Sequence, residues 1–238
     1  MKQRNYLIKM KNKYKVCVIP ARGGSKRIKN KNIKKFKNKP IIYYTIDNAL
    51  KSKLFNKIHV STESNLIKKI VKKKKIIIDF MRTKKLSNDK APLFEVYKYV
   101  VREYKKMGFV FDEIWSIMPC APNLNAEDLR KISNFYKNLK VKKPILSISK
   151  YKVPIEWACI INKKGELSSL SRKSQLLRSQ DIEDKYYDAG QFYIYPGKKL
   201  LKLNFIKKNY SYIGYKLPLS KSIDIDDIED WKIAEKLH

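Results

Sequence analysis

Residues 15–32 read KVCVIPARGGSKRIKNKN, and the class of fold is most clearly indicated here. The first part, 15–21, is a run of mostly apolar, β-branched residues, which predicts a strand buried on both faces. The basic turn that follows holds two adjacent glycines, which allow positive φ and let backbone N–H groups point at an anion, and Arg22, Lys26 and Lys31 add positive charge. In open α/β sheets, ligands bind beyond the carboxyl ends of strands, so we predict a phosphate-binding loop. The alternative is an ordinary basic turn in a lysine-rich chain.

Beyond this stretch, short apolar runs alternate with amphipathic segments. Strands are predicted at 15–21, 57–62, 76–80, 113–118 and 144–149. Helices are predicted at 40–51, 64–73, 92–106 and 126–139, the last with Asn125 as its N-cap. Strand-like sequence resumes at 189–195 and 212–217, and a final helix is predicted at 227–237. This alternation is typical of an α/β fold with a mainly parallel sheet and helices on both faces.

The alternation stops between residues 151 and 187. This part holds a strand-like run at 157–162, a turn at 163–165 and a polar segment, which together predict an inserted hairpin or arm. Residues 1–14 are basic and polar, and we expect a loose tail in which Met10 is an alternative start to Met1. The expected organisation is one domain over residues 15–238 that carries one arm at about 151–187.

The charge of the chain is strongly positive. Its 238 residues include 55 Lys and Arg against 22 Asp and Glu, for a net charge of +33. Such a surface suits a nucleic-acid-binding protein, which stays open as the alternative from another class. However, only 8 of the 55 basic residues are Arg, the residue suited to bidentate contacts with phosphate and guanine, and the lysines are spread along the whole chain. We therefore favour a solvated lysine surface and expect no nucleic-acid partner.

The sequence carries no signal for a membrane span, a secretory leader or a structural metal. No apolar run approaches the ~18 residues that span a bilayer, and the first one is too short for a signal peptide. We therefore expect a cytoplasmic protein without membrane insertion. The three cysteines, Cys17, Cys120 and Cys159, lie far apart without CxxC spacing, which argues against a zinc site and a disulfide framework.

A second polar motif lies near the end of the chain, where residues 222–226 read SIDID. If this run is extended, Asp224 and Asp226 point to the same side. Two adjacent carboxylates suit a hard divalent cation such as Mg²⁺, which can bridge to phosphates. Helix capping is the alternative, and it explains Asp226 or Asp227 but not Asp224.

Four motifs occur in an order that resembles the acylneuraminate cytidylyltransferases. They are IPARGGSKR at 19–27 with KN at 31–32, RTKKLSND at 82–89, RSQD at 178–181 with YDAGQFY at 187–193, and DIDD at 224–227 with DWKIAEKL at 230–237. The third pair of runs is similar to the pseudaminic acid branch of this family. The resemblance implies a Rossmann-like three-layer sandwich of the nucleotide-diphospho-sugar transferase type. It also implies CTP and a nonulosonic acid as substrates, Mg²⁺ as cofactor, and a homodimer joined through the arm.

The roles of individual residues are likewise implied by the resemblance. The nucleotide is expected to contact Ala21, Arg22, Gly23, Gly24, Ser25, Lys26, Lys31, Asn32, Arg82 and Ser87. The catalytic residues are expected to be Arg22, Lys31 and Asp224, and the metal ligands Asp224 and Asp226. The carboxylate of the sugar is expected to pair with Arg178, and an amide group of the sugar is expected to contact Gln191. Asp188 is also expected to contact the sugar. Phe192, next to Gln191, is expected to pack in the core.

The identity of the sugar depends on the motifs in the middle of the chain. Sialic-acid-activating members typically have a QPTSP-like run where this chain has MPCAP at 118–122. This departure and the RSQD run favour CMP transfer to pseudaminic acid, with sialic acid and legionaminic acid as alternatives. An inactive scaffold is a further alternative, against which the complete loop and the aspartate pair argue.

Overall fold

The chain folds around a central sheet. The computed structural model describes residues 14–170, 176–203 and 211–238. Its strands are β1 (Lys15–Pro20), β2 (Lys35–Phe36), β3 (Lys39–Pro40), β4 (Lys57–Ser61), β5 (Glu113–Ile117), β6 (Ile145–Lys150), β7 (Cys159–Ile161), β8 (Leu167–Ser169), β9 (Tyr186–Pro196) and β10 (Ile213–Lys216). Its α-helices are α1 (Ile41–Ser52), α2 (Asn65–Lys72), α3 (Leu93–Lys106), α4 (Ala126–Asn138), α5 (Gly197–Leu200) and α6 (Ile228–Leu237). Short 3₁₀ helices lie at Lys31–Ile33, Lys84–Leu86, Ile155–Trp157, Ser179–Asp181 and Leu219–Lys221.

Six strands form the main sheet in the order β10-β6-β9-β5-β1-β4. Neighbouring strands are parallel except at β9, which runs antiparallel to both β5 and β6. The predicted α/β fold with a mainly parallel sheet is confirmed. Because β1 lies between β4 and β5, the uninterrupted apolar run that predicted this strand is buried on both faces.

Alternate residues of β1 face two different helix layers. Cys17 and Ile19 pack in the larger apolar cluster with residues of α1, α2 and α4. Val16 and Val18 pack on the opposite face with residues of α3. Helices therefore cover both faces of the sheet, and the chain has the three layers that the sequence predicted.

Three helices begin at polar residues that accept a backbone N–H. The side chain of Ser64 caps α2, and Asn125 forms a capping box with Asp128 at the start of α4. Asp227 forms the corresponding box at α6. Since Asp227 is the cap of the last helix, capping does not explain Asp226.

One segment that was predicted to be a strand is not a strand. Residues 76–80 form no ladder, although Ile76 and Ile78 are buried. Side chains hold this segment instead: the Tyr104 hydroxyl donates to Asp79 Oδ2 at 2.5 Å, and Lys57 Nζ lies 2.9 Å from the same oxygen. Residues 223–226, which carry the aspartate pair, also lie outside the sheet, and side chains bind the carbonyl groups of Ile223 and Ile225.

The predicted loose tail falls on residues 1–13, which lie outside the described part of the chain, and on Tyr14. For Tyr14 the prediction is wrong. Its ring stacks with those of Phe109 and Phe111, and its backbone N–H donates to Asp112 Oδ2 at 3.0 Å. Aromatic partners on the neighbouring segment explain why this residue is ordered.

The predicted arm contains a separate antiparallel hairpin. Strands β7 and β8 pair with each other and with no other described strand. Residues 171–175, which follow it, are not among those described. Several apolar side chains of the arm are exposed to solvent, namely Ile160, Ile161, Leu167 and Leu170. Elsewhere, no helix within the described ranges is long and apolar enough to cross a membrane.

Candidate active site

One cleft brings together residues from both ends of the described chain. It lies at the carboxyl ends of β1 and β5, where the loop after β1 faces the segment before α6. Its lining consists of Arg22, Ser25, Lys26, Arg27, Ile28, Lys31, Asn32, Met118, Pro119, Cys120, Asp224 and Asp226. The structure thus places the predicted cationic loop and the predicted aspartate pair in the same cleft.

The backbone conformation of the two glycines in the loop differs from the prediction. Neither Gly23 nor Gly24 has a positive φ, and the left-handed residue in the loop is Asn30, with φ of 54°. The N–H of Gly23 donates to Glu63 Oε1 at 2.7 Å, and a Cβ on Gly23 would lie 3.1 Å from the Cβ of Ser64. Gly23 therefore permits a close approach to the start of α2. The expectation of a positive-φ nest whose N–H groups face an anion is wrong for this glycine.

The loop is anchored where it leaves the strand. Ala21 is fully buried, and its N–H donates to the carbonyl of Ser61 at 2.9 Å. Asn32 Nδ2 donates to the carbonyl of Arg22 at 2.9 Å, and Cys120 Sγ donates to Asn32 Oδ1 at 3.4 Å. Burial raises the pKa of the Cys120 thiol to about 12, so the thiol is a neutral donor. These bonds fix the path of the backbone that carries the cations.

Two cations of the loop contact the aspartate segment. Lys31 Nζ donates to the carbonyl of Ile225 and lies 3.5 Å from Asp226 Oδ1. Arg27 Nη2 lies 2.7 Å from the same carboxylate oxygen. Lys31 and Ile225 are 194 residues apart in the sequence, so these contacts join distant parts of the chain.

Asp224 lines the cleft, and its side chain is accessible to solvent. Burial first, and then the negative charge of Asp226, raises the pKa of the Asp224 carboxyl, while Lys31 opposes this effect. The carboxylate lies against Gly190, where an added Cβ would be 3.0 Å from Asp224 Oδ2. A carboxylate near a like charge is stabilised when a cation binds both groups.

Asp89 bridges two cations of the loop. Its carboxylate pairs with both Lys26 and Arg22. Hydrogen bonds from Lys26 and then from Arg22 hold the pKa of Asp89 below its usual range. An anionic ligand that binds between these two cations therefore has to displace or rearrange the Asp89 carboxylate.

The predicted nucleotide-binding residues divide into two groups. Those that line the cleft are Arg22, Ser25, Lys26, Lys31 and Asn32. Those that do not line it are Ala21, Gly23, Gly24, Arg82 and Ser87. Arg82 is 6% exposed, and its guanidinium donates to Ser61 Oγ at 3.1 Å and to the carbonyl of Ser61 at 2.6 Å. Ser87 Oγ donates to the carbonyl of Thr83 at 2.8 Å.

Two predicted sugar contacts lie on β9. Asp188 is exposed and accepts the N–H of Gly190 at 2.9 Å and the hydroxyl of Tyr193 at 2.6 Å. Gln191 is only 3% exposed, and its Nε2 donates to the carbonyl of Ala189 at 2.9 Å. The same nitrogen donates to the carbonyl of Ile223 at 3.0 Å. The amide nitrogen that was expected to face a sugar is therefore engaged by the protein backbone.

The remaining predictions on this segment concern Phe192 and Arg178. Phe192 is fully buried in the larger apolar cluster, which confirms its expected packing. Arg178 lies on the arm with its side chain 74% exposed, and its Nε is 2.9 Å from Asp181 Oδ2. Arg178 does not line the cleft.

Several site residues were not assigned from the sequence. Arg27, Pro119 and Cys120 line the cleft, Glu63 binds the loop, and Asp89 pairs with its cations. Arg27 had a local signal, because it belongs to the same basic loop. The ion pairs of Asp89 had none, since its partners are distant in sequence.

The carboxylates suit a metal that needs few protein ligands. Within the described ranges, no group of three or more His, Cys, Asp or Glu side chains could hold a metal ion. Asp224 and Asp226 both line the cleft. Mg²⁺ is usually bound by one or two carboxylates together with substrate phosphates and waters, so this donor set fits it.

Comparisons with known proteins agree on one family. A sequence model described as Cytidylyltransferase matches residues 16–222. The pseudaminic acid cytidylyltransferase of Campylobacter jejuni is 34% identical over 230 residues, which cover 96% of this chain and 97% of the relative. The CMP-N,N'-diacetyllegionaminic acid synthase of Legionella pneumophila is 30% identical over 229 residues, which cover 93% of this chain and 95% of the relative.

A solved structure shares the fold. It is a CMP:2-keto-3-deoxy-manno-octonic acid synthetase complexed with CTP, with a TM-score of 0.66. The alignment covers 94% of this chain and 98% of the other, at 16% sequence identity. This likeness supports the three-layer α/β architecture.

Proposed function

The chain belongs to the cytidylyltransferase family, and from this premise we propose that it transfers CMP from CTP to the anomeric hydroxyl of a nonulosonic acid. The hydroxyl oxygen bonds to the α-phosphorus of CTP, and its proton passes to solvent. The bond from the α-phosphorus to the bridging oxygen breaks, and pyrophosphate leaves. We place this reaction in the cytoplasm, where CTP is made.

The observation that supports this proposal most directly is the composition of the cleft. One loop contributes four cations, and the segment before α6 contributes two carboxylates. The cations are Arg22, Lys26, Arg27 and Lys31, and the carboxylates are Asp224 and Asp226. A triphosphate carries several negative charges close together, and fixed cations offset that charge without reorganisation during the reaction.

We assign the triphosphate to the cationic loop. Arg22 and Lys26 both pair with Asp89, and phosphate groups would take the place of this carboxylate between them. Lys31 of the same loop lies 3.5 Å from Asp226 and can contact both the nucleotide and the carboxylate segment. In this role these residues bind and orient the nucleotide, which accounts for most of the catalysis expected of a phosphoryl-transfer site.

We assign the metal site to Asp224 and Asp226. Their carboxylates would hold Mg²⁺, which when bound would offset the charge that develops on the phosphates as pyrophosphate leaves. The raised pKa of Asp224 is consistent with this assignment, because burial and the charge of Asp226 disfavour its ionised form until a cation is bound.

We propose pseudaminic acid as the sugar. The relative with this named substrate aligns over nearly the whole of both chains. Met118 and Cys120 make part of the cleft apolar at the end of β5. A glutamine amide at the position of Met118, as in the QPTSP-like run, would suit a more polar sugar. Legionaminic acid is the second candidate, because a relative named for it is 30% identical.

The decisive experiment supplies purified protein with CTP, Mg²⁺ and one sugar at a time. Pseudaminic, legionaminic and sialic acids are compared by pyrophosphate release and by the mass of the CMP-sugar. We expect the highest kcat/KM with pseudaminic acid. A higher value with another sugar would overturn the sugar assignment. No CMP-sugar with any of them, together with tight and steeply salt-dependent nucleic-acid binding, would favour the alternative class.

We also propose a homodimer joined through the arm. The apolar side chains of β7 and β8 are uncovered: Ile161 is 65% exposed and Leu167 is 70% exposed. Burying such a surface against a second copy is favourable. The exposed Arg178 lies on this arm, so in the dimer it is available to the sugar carboxylate in the partner's cleft.

A further inference from the structure

Asp224 lies on a segment of backbone that no strand holds. Residues 223–226 form no ladder, so other groups have to fix their position. Lys31 Nζ donates to the carbonyl of Ile225, and Gln191 Nε2 donates to the carbonyl of Ile223 at 3.0 Å. The residues on both sides of Asp224 are therefore bound by side chains from two different parts of the molecule.

Gln191 is itself rigidly placed. It is 3% exposed and belongs to β9, which is paired on both edges. Its backbone N–H donates to Ser147 Oγ at 3.0 Å, and its Nε2 also donates to the carbonyl of Ala189 at 2.9 Å. A buried amide with two accepting carbonyls has little freedom to move. Gln191 therefore links the position of Ile223 to the central sheet.

The same strand contacts the Asp224 carboxylate itself. Gly190 has a φ of +62°, and a Cβ there would lie 3.0 Å from Asp224 Oδ2 and 3.3 Å from Asp224 Cγ. Two successive residues of β9 thus act on Asp224. Gly190 leaves room for the carboxylate, and Gln191 holds the carbonyl that precedes it.

We infer that Gln191 is a positioning residue, whose amide fixes the backbone that presents the Asp224 carboxylate to the cation. The inference rests on the proposed function, which gives Asp224 its role as a metal ligand. A neutral amide suits this task, because it donates a hydrogen bond without adding charge beside two carboxylates. Removing a group that orients a metal ligand typically weakens metal binding or activity by about 10–100-fold.

The test is the variant Gln191→Met, which keeps the length of the side chain and removes the donor. Mn²⁺ is titrated into the protein alone and followed by water-proton relaxation. We expect Mn²⁺ to bind about 10–100-fold more weakly than to the wild type. The Mg²⁺ concentration for half-maximal turnover should rise by a similar factor, while the KM for the sugar at saturating Mg²⁺ stays unchanged.

Two control variants make the result specific. Tyr104→Phe removes another buried hydrogen bond, from the Tyr104 hydroxyl to Asp79, away from the aspartate segment. It should lower stability and leave Mn²⁺ binding unchanged. Asp224→Asn should abolish the Mn²⁺ binding. If Gln191→Met does not fold, Gln191→Asn, whose shorter amide does not reach both carbonyls, should weaken Mn²⁺ binding by an intermediate factor.

The outcomes separate this inference from the proposed function. Normal Mn²⁺ binding in Gln191→Met, with none in Asp224→Asn, would overturn the positioning role and leave the metal assignment intact. A raised sugar KM with normal Mn²⁺ binding would also overturn it and assign Gln191 to the sugar. Normal Mn²⁺ binding in Asp224→Asn would instead overturn the metal assignment, and the positioning role with it.

Discussion

Replacing Asp224 with asparagine should stabilise the folded protein and abolish its turnover. The pKa of Asp224 is raised, by burial first and by the charge of Asp226 second, so the folded state disfavours the ionised carboxylate. Asparagine has nearly the same shape and no charge. It removes the unfavourable electrostatic contribution and, in the proposed mechanism, one of the two metal ligands.

The size of both effects follows from the environment of the side chain. Optimising the charge of a surface commonly adds about 0.5–2 kcal/mol to the free energy of unfolding, and because solvent screens the accessible Asp224 carboxylate, we expect the lower part of this range, about 0.5–1 kcal/mol. For a chain of this size, each 1 kcal/mol raises Tm by about 2–4 °C, so an increase of about 1–4 °C is expected. Turnover should fall by at least about 100-fold, as it does when one group that stabilises transition-state charge is removed.

The stabilisation should depend on pH. The wild type carries the full penalty at pH values above the raised folded-state pKa of Asp224. Below the ordinary pKa of 3.8, the carboxyl is protonated in both the folded and the unfolded state, and the penalty disappears. The difference in unfolding free energy between variant and wild type should therefore be largest near neutral pH and shrink as the pH falls.

The assay combines urea unfolding at several pH values with pyrophosphate release. Asp226→Asn is the matched control, because the Asp226 carboxylate is 2.7 Å from Arg27 and its loss removes an ion pair. This control should lose turnover without a gain in stability. Mg²⁺ added alone should raise the Tm of the wild type but not that of Asp224→Asn. An Asp224→Asn protein no more stable than the wild type at neutral pH would refute the electrostatic reasoning.

Three further predictions concern other parts of the molecule. Lys31→Met should raise the KM for CTP by about 10–100-fold, the effect of losing a charge-assisted hydrogen bond. Lys29→Met in the same loop should leave this KM unchanged. Equal KM values for the two variants in steady-state kinetics would contradict the prediction. Ile161→Glu on the arm should convert dimer to monomer in sedimentation experiments, whereas Ile77→Glu, at another exposed isoleucine, should not. Gly197→Ala would place a Cβ 1.8 Å from a backbone carbonyl oxygen. The free energy of unfolding, measured in urea, should therefore fall by about 3 kcal/mol. An unchanged unfolding midpoint would argue against this contact.

Most of the sheet and its helices were predictable because their signals are local. The apolar run of β1 and the capping box at Asn125 each lie within a few residues, and both elements occur where they were predicted. The strand predicted at 76–80 was wrong for a non-local reason. Ile76 and Ile78 are buried, but burial alone does not form a ladder, and Asp79 binds Lys57 and Tyr104 instead. Apolar composition does not distinguish these two outcomes.

The candidate site was predictable in outline and not in its contacts. The basic loop and the aspartate pair are visible as motifs, and in the structure they line one cleft. The role of Gly23 depends on how closely α2 approaches, and the bond from Gln191 to Ile223 depends on a segment beyond the sheet. Such contacts are set by tertiary packing, which no local pattern of residues records.

The contact between Lys31 and the carbonyl of Ile225, 194 residues further along the chain, has a consequence for biosynthesis. A ribosome releases the loop first, and the segment that completes the cleft leaves the exit tunnel only after the intervening chain has been made. Until then, a nascent chain has a cationic turn without its acidic counterpart. Pairing over such a sequence separation is slow to form, so nucleotide binding should be among the last properties that a newly made molecule acquires.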